Sequence, residues 1–439
     1  MVDISHLPQN DKTNGWNLVL PQRTPKPALK GDVKADWVVA GAGYAGLAAA
    51  RRLAVNRPGD RIVLLDAGVM GENASARNSG FAIDLPHAVG GGHDDLDGAQ
   101  RYMALARAAI AHLEDNVTAH AIQCDWSRRG KYHTAVTARG EAEYIAPFVE
   151  ALERLGEPYR RLDAAATAHE LGTPYYHCAV YTPGCVLMNP AALTRGLADS
   201  LPEAVRLHEN TPITGFETDN GIHLTTPAGS VRAPRMILAT NAFAERFGFF
   251  KGKLLPFHAH ASLTRPLDEA ERKALGGVGD WGVTPANAFV SVTMRHTRDH
   301  RILIRHDFKY CPSQRVSLEE QVRARAVHQR LFHGRFPMLP KVTMEHTWTG
   351  FVCMSANHAP GFGQVAPGVW AAVCQNAVGV TKGTISGLLA ADLACGIDNP
   401  LVADMHSLGT PSWLPPRPIL DIGVKVRNGF DLWRSRHEA

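Results

Sequence analysis

At 439 residues and 47.6 kDa the chain has room for two or three compact units and is too short for an extended array. With 45% hydrophobic and 20% charged residues it is globular in composition, and a net charge of +4 from scattered Lys and Arg argues against nucleic acid as a partner. Seven cysteines lie far apart without a C-x-x-C pair, and no run approaches the roughly 20 apolar residues of a membrane span. The stretch Met1 to Asn10 is polar and lacks the apolar core of a signal peptide. A reduced, cytoplasmic protein is expected. The pairs His258-x-His260 and His296-x-x-x-His300 have no acid or cysteine cluster beside them, so no metal site is expected.

Residues 1–28 are polar and proline-rich (Pro8, Pro21, Pro25, Pro27) and read as an extended arm over the surface. A buried strand, Asp36-Trp37-Val38-Val39-Ala40, then runs into Gly41-Ala42-Gly43-Tyr44-Ala45-Gly46. A helix follows with Leu47, Ala50 and Leu53 on one face, stopped by Asn56, Pro58 and Gly59. A second strand, Ile62-Val63-Leu64-Leu65, ends at Asp66, which completes one β-α-β unit. Helices are predicted over 97–121 and 141–155, and another after Asn189-Pro190, where proline suits the first turn. Short strands are predicted near Arg206, at 222–224 and at 237–239, then a hairpin over 289–295 and 301–306. A charged helix over 318–332, a strand over 369–374, a turn over 379–383 and a small-residue helix over 384–395 follow. The segment 419–433 sets Ile422, Val426, Phe430 and Trp433 beside Lys425, Arg427, Arg434 and Arg436. That pattern suits a membrane surface, but the helix is expected to pack on the body of the protein, without membrane contact.

The glycine motif carries the most chemistry. Gly41 permits the tight turn, Gly43 lets backbone N–H groups approach a pyrophosphate, and Gly46 lets helix and strand pack closely. The helix N-terminus adds partial positive charge. Asp66, about 20 residues after Gly46, can accept hydrogen bonds from adenosine ribose hydroxyls and would repel the 2′-phosphate of NADP. By itself the pattern leaves NAD and FAD open.

Later segments point to FAD. They are Pro27-Ala28-Leu29-Lys30-Gly31 with Ala35-Asp36; Asn73-Ala74-Ser75-Ala76-Arg77-Asn78-Ser79-Gly80-Phe81; Met236-Ile237-Leu238-Ala239-Thr240-Asn241-Ala242; Trp348-Thr349-Gly350; Asn357-His358-Ala359-Pro360-Gly361-Phe362-Gly363; and residues 379–387. In order and spacing the chain resembles the D-amino-acid-oxidase-like FAD-dependent amine oxidoreductases, whose relatives include sarcosine and glycine oxidases. It is most similar to the γ-glutamylputrescine oxidoreductase group.

The resemblance implies an α/β fold: a Rossmann-like FAD-binding domain joined to an α+β substrate domain with an antiparallel sheet. The FAD domain would gather 29–100, 188–250 and 348–395, the substrate domain 101–187 and 251–347, with 396–439 as an extension. It implies FAD contacts at Gly41, Gly43, Tyr44, Ala45, Gly46, Asp66 and Ala67. The loop Ser75, Ala76, Arg77, Asn78, Ser79 and Gly80 would turn a hydroxyl, a guanidinium and an amide to the pyrophosphate and ribityl oxygens. Pro212, Ile213, Ala239, Thr240 and Asn241 would lie near the adenine half, with Trp348 and Gly350 also against the cofactor. Gly379, Val380, Thr381, Lys382 and Gly383 would aim N–H groups and a lysine charge at the flavin pyrimidine and stabilise its anionic reduced form. Relatives often carry Gly-His-Gly in this turn; Ala377-Val378-Gly379 stands here, so that histidine's role is not carried over.

Cys353, in Gly350-Phe351-Val352-Cys353-Met354, is similar in position to the flavin-linked cysteine of monomeric sarcosine oxidases. The γ-glutamylputrescine group lacks that linkage, and a buried structural cysteine is expected. Lys382, His258 and His260 are the candidate catalytic residues, with Arg305, His306, Tyr310, Met188 and Asn189 as pocket candidates. The implied reaction is oxidation of a C–N bond in a small amine or amino-acid-like substrate. Hydride passes to flavin N5, the imine hydrolyses, and oxygen or another acceptor takes the electrons. Two other readings stay open: a dehydrogenase feeding a quinone or carrier, and a flavin-holding subunit of a hetero-oligomer.

Overall fold

The computed structural model describes residues 2–9, 11–86, 95–285 and 292–438. The strand Trp37–Ala40 is buried at every position, as is Ile62–Leu65, and the two pair in parallel. Strands buried on both faces read as continuous apolar runs rather than alternating ones, which is why Val38, Val39, Val63 and Leu64 all find cover. They sit within a six-stranded sheet, in the order Val205–His208, Ile62–Leu65, Trp37–Ala40, Met236–Leu238, Val369–Val373 and Gly361–Ala366. The first five are parallel and the last returns antiparallel.

Two helices cover one face of this sheet together. Tyr44–Asn56 and Thr384–Cys395 pack so closely that a Cβ on Gly387 would lie 2.0 Å from the Ala45 carbonyl oxygen. Arg52 closes the pair on Asp392, its Nε 2.6 Å from Oδ1. On the other face a five-stranded sheet runs Val2–Asp3, Gly215–Glu217, Ile222–Thr226, Gly229–Ala233 and Gly31–Lys34. Val38, Val63, Leu224 and Val231 share one core between the two sheets.

The third layer is an eight-stranded sheet in the order Met344–Met354, Leu255–Thr264, Ile302–Tyr310, Thr293–His296, Trp281–Pro285, Lys131–Ala135, Cys178–Thr182 and Arg160–Leu162. Met344–Met354 pairs along its length with Leu255–Thr264, so residues 348–354 belong by pairing to this sheet, although the sequence groups them with the FAD domain. The expected strand at 289–295 lies outside the described residues up to 291; Thr293–His296 is its observed part. Trp281–Pro285 is an additional strand, missed because its five residues include a glycine and a proline. The long helix Leu96–Ala119 and the helices Pro190–Asp199 and Leu318–Arg335 match their predicted positions. Asn189 caps the second of these through the N–H groups of Ala191 and Ala192.

Both termini differ in part from expectation. The N-terminal arm does not simply lie on the surface: Asn14 and Trp16 are buried. The Asn14 amide donates to the carbonyls of Gly71 (2.7 Å) and Ala76 (3.0 Å), and Trp16 Nε1 donates to Asn78. At the other end the helix Ile419–Arg434 buries none of its residues and turns its apolar stripe outward. Among the described residues no helix is long and apolar enough to cross a membrane.

Candidate active site

The parallel strands end at one cleft. After Trp37–Ala40 the backbone turns through Gly41 at φ +95°, and a Cβ there would meet the Ala239 carbonyl oxygen at 2.7 Å. A Cβ on Gly43 would lie 2.6 Å from Ser75 Oγ. Gly43, at the N-cap of Tyr44–Asn56, has no side chain to accept from the first turn, whose remaining N–H groups can meet an anion. Ser75 Oγ accepts from the Tyr44 N–H at 3.1 Å. Asp66, at the next strand end, accepts from the Ala42 N–H at 2.8 Å and the Gly68 N–H at 2.9 Å. Burial raises its carboxyl above the usual range, opposed by those two donors.

A cavity of about 850 Å³ opens from these groups. Thr211 and Ile213 line it beside Asp66; Asn78, Gly350, Gln375 and Lys382 line it further along. Its far wall is the eight-stranded sheet, through Ala259, Ala261, Thr293, Arg305 and Phe308. Ligands in open α/β sheets bind at such carboxyl-end crevices. On the side of the parallel sheet, Asn73 Oδ1, Thr240 Oγ1 and Gln375 Nε2 are buried at the cavity and have no hydrogen-bond partner among the described residues. Donors and acceptors so placed suit a dinucleotide's sugar, phosphate and ring edges.

The turn before the Gly379–Gly383 segment is strained: Cys374, Asn376 and Ala377 have φ of +59°, +51° and +64°. Asn376 holds it by accepting from the Ser355 N–H and donating to the His358 and Ala359 carbonyls. Lys382 is then carried into the cavity, buried, its Nζ 5.4 Å from the centre of the Tyr102 ring. Burial lowers its pKa to about 8, with the nearby Cys374 acting weakly the other way.

On the sheet, Ala261 pairs with Arg305, and Arg305 pairs with Thr293, so all three point to the same side. Arg305 donates to Thr293 Oγ1 at 2.7 Å, and its guanidinium lies 4.5 Å from the centre of the Phe308 ring. Burial lowers its pKa to about 10, and it stays charged at neutral pH.

A family description, FAD dependent oxidoreductase (DAO), matches residues 36–393. The chain belongs to this family. It is 26% identical over 415 residues to the probable oxidoreductase OrdL of Haemophilus influenzae, covering 91% of this chain and 92% of that protein. It is 24% identical over 385 residues to γ-glutamylputrescine oxidoreductase of Escherichia coli, covering 85% and 86%. Among solved structures, glycine oxidase from Geobacillus kaustophilus superposes with a TM-score of 0.70 at 20% identity, covering 84% of this chain and 96% of that one. L-proline dehydrogenase from P. horikoshii gives 0.65 at 17%, covering 85% and 96%. The protein is a FAD-dependent oxidoreductase with the DAO-like fold.

Within this DAO-family cleft the residues anticipated from sequence divide by position. Gly41, Gly43, Tyr44, Ala45, Asp66, Ala67, Ser75, Arg77, Asn78, Ser79, Ile213, Ala239, Thr240, Asn241, Gly350, Gly379, Val380, Lys382 and Gly383 line the cavity. Gly46, Ala76, Gly80, Pro212, Trp348 and Thr381 stand behind it. A Cβ on Gly46 would lie 1.7 Å from the Gly41 carbonyl oxygen. The Ala76 carbonyl accepts from Asn14, Trp348 Nε1 donates to the Arg77 carbonyl, and Thr381 Oγ1 donates to the Ile83 carbonyl. Gly80 accepts at its carbonyl from Arg295, which also holds the Met188 carbonyl and so ties the eight-stranded sheet to the loop ending at Gly80.

Three expectations need correction. Arg77 is not free for a phosphate: Nη2 lies 2.7 Å from both Glu72 Oε2 and Asp11 Oδ1, while Nε and Nη1 donate to the Glu72 and Thr349 carbonyls. Two carboxylates already balance its charge.

His258 and His260 do not reach the cavity, and neither does His306, because alternate residues of a strand face opposite sides. Ala259 and Ala261 take the cavity side, leaving His258 and His260 under the helix Leu318–Arg335. There His258 Nε2 is 3.2 Å from Glu320, and His260 Nδ1 is 3.1 Å from Thr349 Oγ1. His258, His260 and Glu320 bring ligand atoms within 4.8 Å of one another, but Lys309 Nζ stands 3.6 Å from the same carboxylate.

Tyr310 and the pair Met188-Asn189 also lie off the wall; the Tyr310 hydroxyl donates to Asp421 instead. Sequence reasoning missed Thr293, Phe308, Thr284, His133 and Tyr102, all on the cavity wall. The one local signal was Thr293, two residues before Arg295 on an alternating strand.

Proposed function

We propose that the protein oxidises the C–N bond of an amino-acid-like amine whose carboxylate is held by Arg305. The observation that supports this reading is a half-buried guanidinium on the sheet wall of the cavity, held by Thr293. A guanidinium presents paired donors that match a carboxylate, and a low-dielectric wall strengthens the pairing. Ala259, Ala261 and Phe351 leave the surrounding surface apolar, which favours a small substrate lying flat over the cofactor. Arg305 and Lys382 place positive charge on the cavity walls, and like charge together with desolvation lowers the pKa of a bound amine towards its reactive neutral form. FAD, when bound, would supply the two-electron acceptor for the hydride of the substrate α-carbon; water would hydrolyse the resulting imine, and oxygen or another acceptor would take the electrons. Lys382 and the backbone of the Gly379–Gly383 turn line the cavity and would offer positive potential to the negative charge of a reduced flavin.

The test is anaerobic flavin bleaching with amino acids and with the matching amines that lack the carboxylate. Arg305→Met should raise KM for the carboxylated substrates by about 30- to 1000-fold, the loss of about 2–4 kcal/mol from a desolvated charge pair. Plain amines should change little. Equal loss for both classes would remove Arg305 from the role.

A further inference from the structure

The C-terminal helix Ile419–Arg434 sits on the protein the wrong way round for a soluble surface helix. At 3.6 residues per turn, Ile419, Ile422, Val426, Phe430 and Trp433 fall within an arc of about 80°. These five are 53–66% exposed. Leu420, Asp421, Val424, Asn428, Asp431 and Ser435 lie on the opposite side and are the half-buried or buried positions of the segment 419–435. A helix that merely covered the core would show the reverse pattern.

The orientation is fixed at both ends. Near the start, Asp421 accepts from the Tyr310 hydroxyl at 3.0 Å and pairs with Arg417 at 3.5 Å. Beyond the end, buried Ser435 meets the Tyr144 hydroxyl at 2.9 Å. Buried Glu438 accepts from the Val136 and Thr137 N–H groups and the Thr137 hydroxyl. The outward stripe is therefore presented by a clamped element rather than by a fraying tail.

We propose that this helix is an interfacial anchor that docks the protein reversibly on an anionic phospholipid bilayer. The charge around the stripe supports that occupant. Arg417, Lys425, Arg427, Arg434 and Arg436 outnumber the carboxylates Asp421, Asp431 and Glu438, each of which is held on the body side or paired within the helix. Lys425 and Arg427 flank the stripe on either side at mid-helix, about 100° from its centre, Arg427 with Asp431 3.2 Å from it on the body side; from there they would meet headgroups while Ile422, Val426 and Phe430 enter the acyl boundary. Phe430 and Trp433 lie 6.1 Å apart, and Arg436 stands 5.4 Å from the Trp433 ring, an aromatic and basic grouping suited to the headgroup level.

A second copy of the chain fits less well. A two-fold pairing of the stripes sets Lys425 and Arg427 against their own copies, and like charges in close register repel. With 16 residues the helix is about 24 Å long, so it lies on the bilayer and does not cross it. The proposal does not depend on which amine the site takes.

The experiment is co-sedimentation of the full-length, FAD-loaded protein with vesicles of phosphatidylcholine alone or with about 30% phosphatidylglycerol. Wild type should pellet with the anionic vesicles at low salt and be released at high salt. Ile422→Asp with Phe430→Asp should weaken that partition by about tenfold or more, and Lys425→Glu with Arg427→Glu should weaken it on anionic vesicles. All four positions are exposed, so flavin content and thermal melting should stay at wild-type values. Failure of wild type to bind anionic vesicles at low salt overturns the proposal. So does binding that survives Ile422→Asp with Phe430→Asp. A wild-type dimer that this variant dissolves, with no vesicle binding, would assign the face to a second copy instead.

Discussion

Removing the Asp66 carboxylate should weaken FAD and abolish the preference for FAD over FMN. The side chain does two jobs. Its oxygens accept one backbone N–H each, from Ala42 at 2.8 Å and Gly68 at 2.9 Å, and so fix the glycine turn against the strand end. Asp66 lines the cavity, and each oxygen has further acceptor capacity that a ribose hydroxyl would use. A hydrogen bond to a charged group contributes about 1.5–3 kcal/mol, so Asp66→Ala loses about 10- to 100-fold in FAD affinity from the ribose contact alone. The two orphaned N–H groups put the result at the upper end of that range. Asp66→Asn keeps the shape but offers one accepting oxygen, and should fall between wild type and the alanine variant. FMN lacks the adenosine, so its weaker binding should change less and the FAD-to-FMN ratio should collapse. Burial raises the carboxyl's pKa, so the wild type should lose FAD on acidification from a higher pH than an ordinary aspartate would allow, a limb absent in Asp66→Asn. The assay is fluorescence titration of apoprotein with each flavin, with thermal melting to verify that the apoprotein is folded. Asp66→Ala within threefold of wild-type FAD affinity would refute the reasoning.

Three further outcomes can be checked. Cys353 is buried, its thiol pushed well up by desolvation and by contact with Cys374, so it should not be linked to the flavin; acid precipitation should release all colour, and Cys353→Ser should stay yellow. A coloured acid pellet would move the chain to the covalent side of the family. Lys382 has a folded pKa of about 8, below the 10.5 of an unfolded lysine, so between those values the unfolded chain binds the extra proton and apoprotein stability gains with rising pH; melting profiles should lose that gain in Lys382→Met, and identical profiles would refute it. Asn14→Ala leaves the Gly71 and Ala76 carbonyls without their donor and uncaps the short helix behind them, which should cost about 2–4 kcal/mol by denaturant unfolding.

The glycine turn and the strand end beside it were legible because their information is local. Gly41, Gly43, Gly46 and Asp66 lie within one β-α-β unit, and each answers a steric or electrostatic need set by the same few residues. Arg77 shows the limit of that locality. Its charge was visible in the sequence, but Asp11, which balances it together with Glu72, sits 66 residues upstream in an arm with no periodicity. A lone Asn14 beside Trp16 gives no pattern by which to tell a buried plug from a surface arm.

The eight-stranded sheet and the C-terminal helix were harder to read for a different reason, and the two main corrections share it. Hydrophobic periodicity reports that a strand or helix has two faces, but not which neighbour each face meets. In Leu255–Thr264 every residue is buried, so there is no polar face to mark the outside, and the choice between His258–His260 and Ala259–Ala261 rests wholly on pairing with Arg305 and Thr293 across the sheet. In Ile419–Arg434 the stripe was legible residue by residue, and the natural assumption set it inward. What turns it outward is distant: Tyr310, Tyr144 and the backbone at residues 136 and 137 bind the polar side of the segment first. A stripe left exposed by such specific polar clamps costs solvation that a chain folding alone does not recover, and its basic flanks carry the charge that an anionic surface would meet.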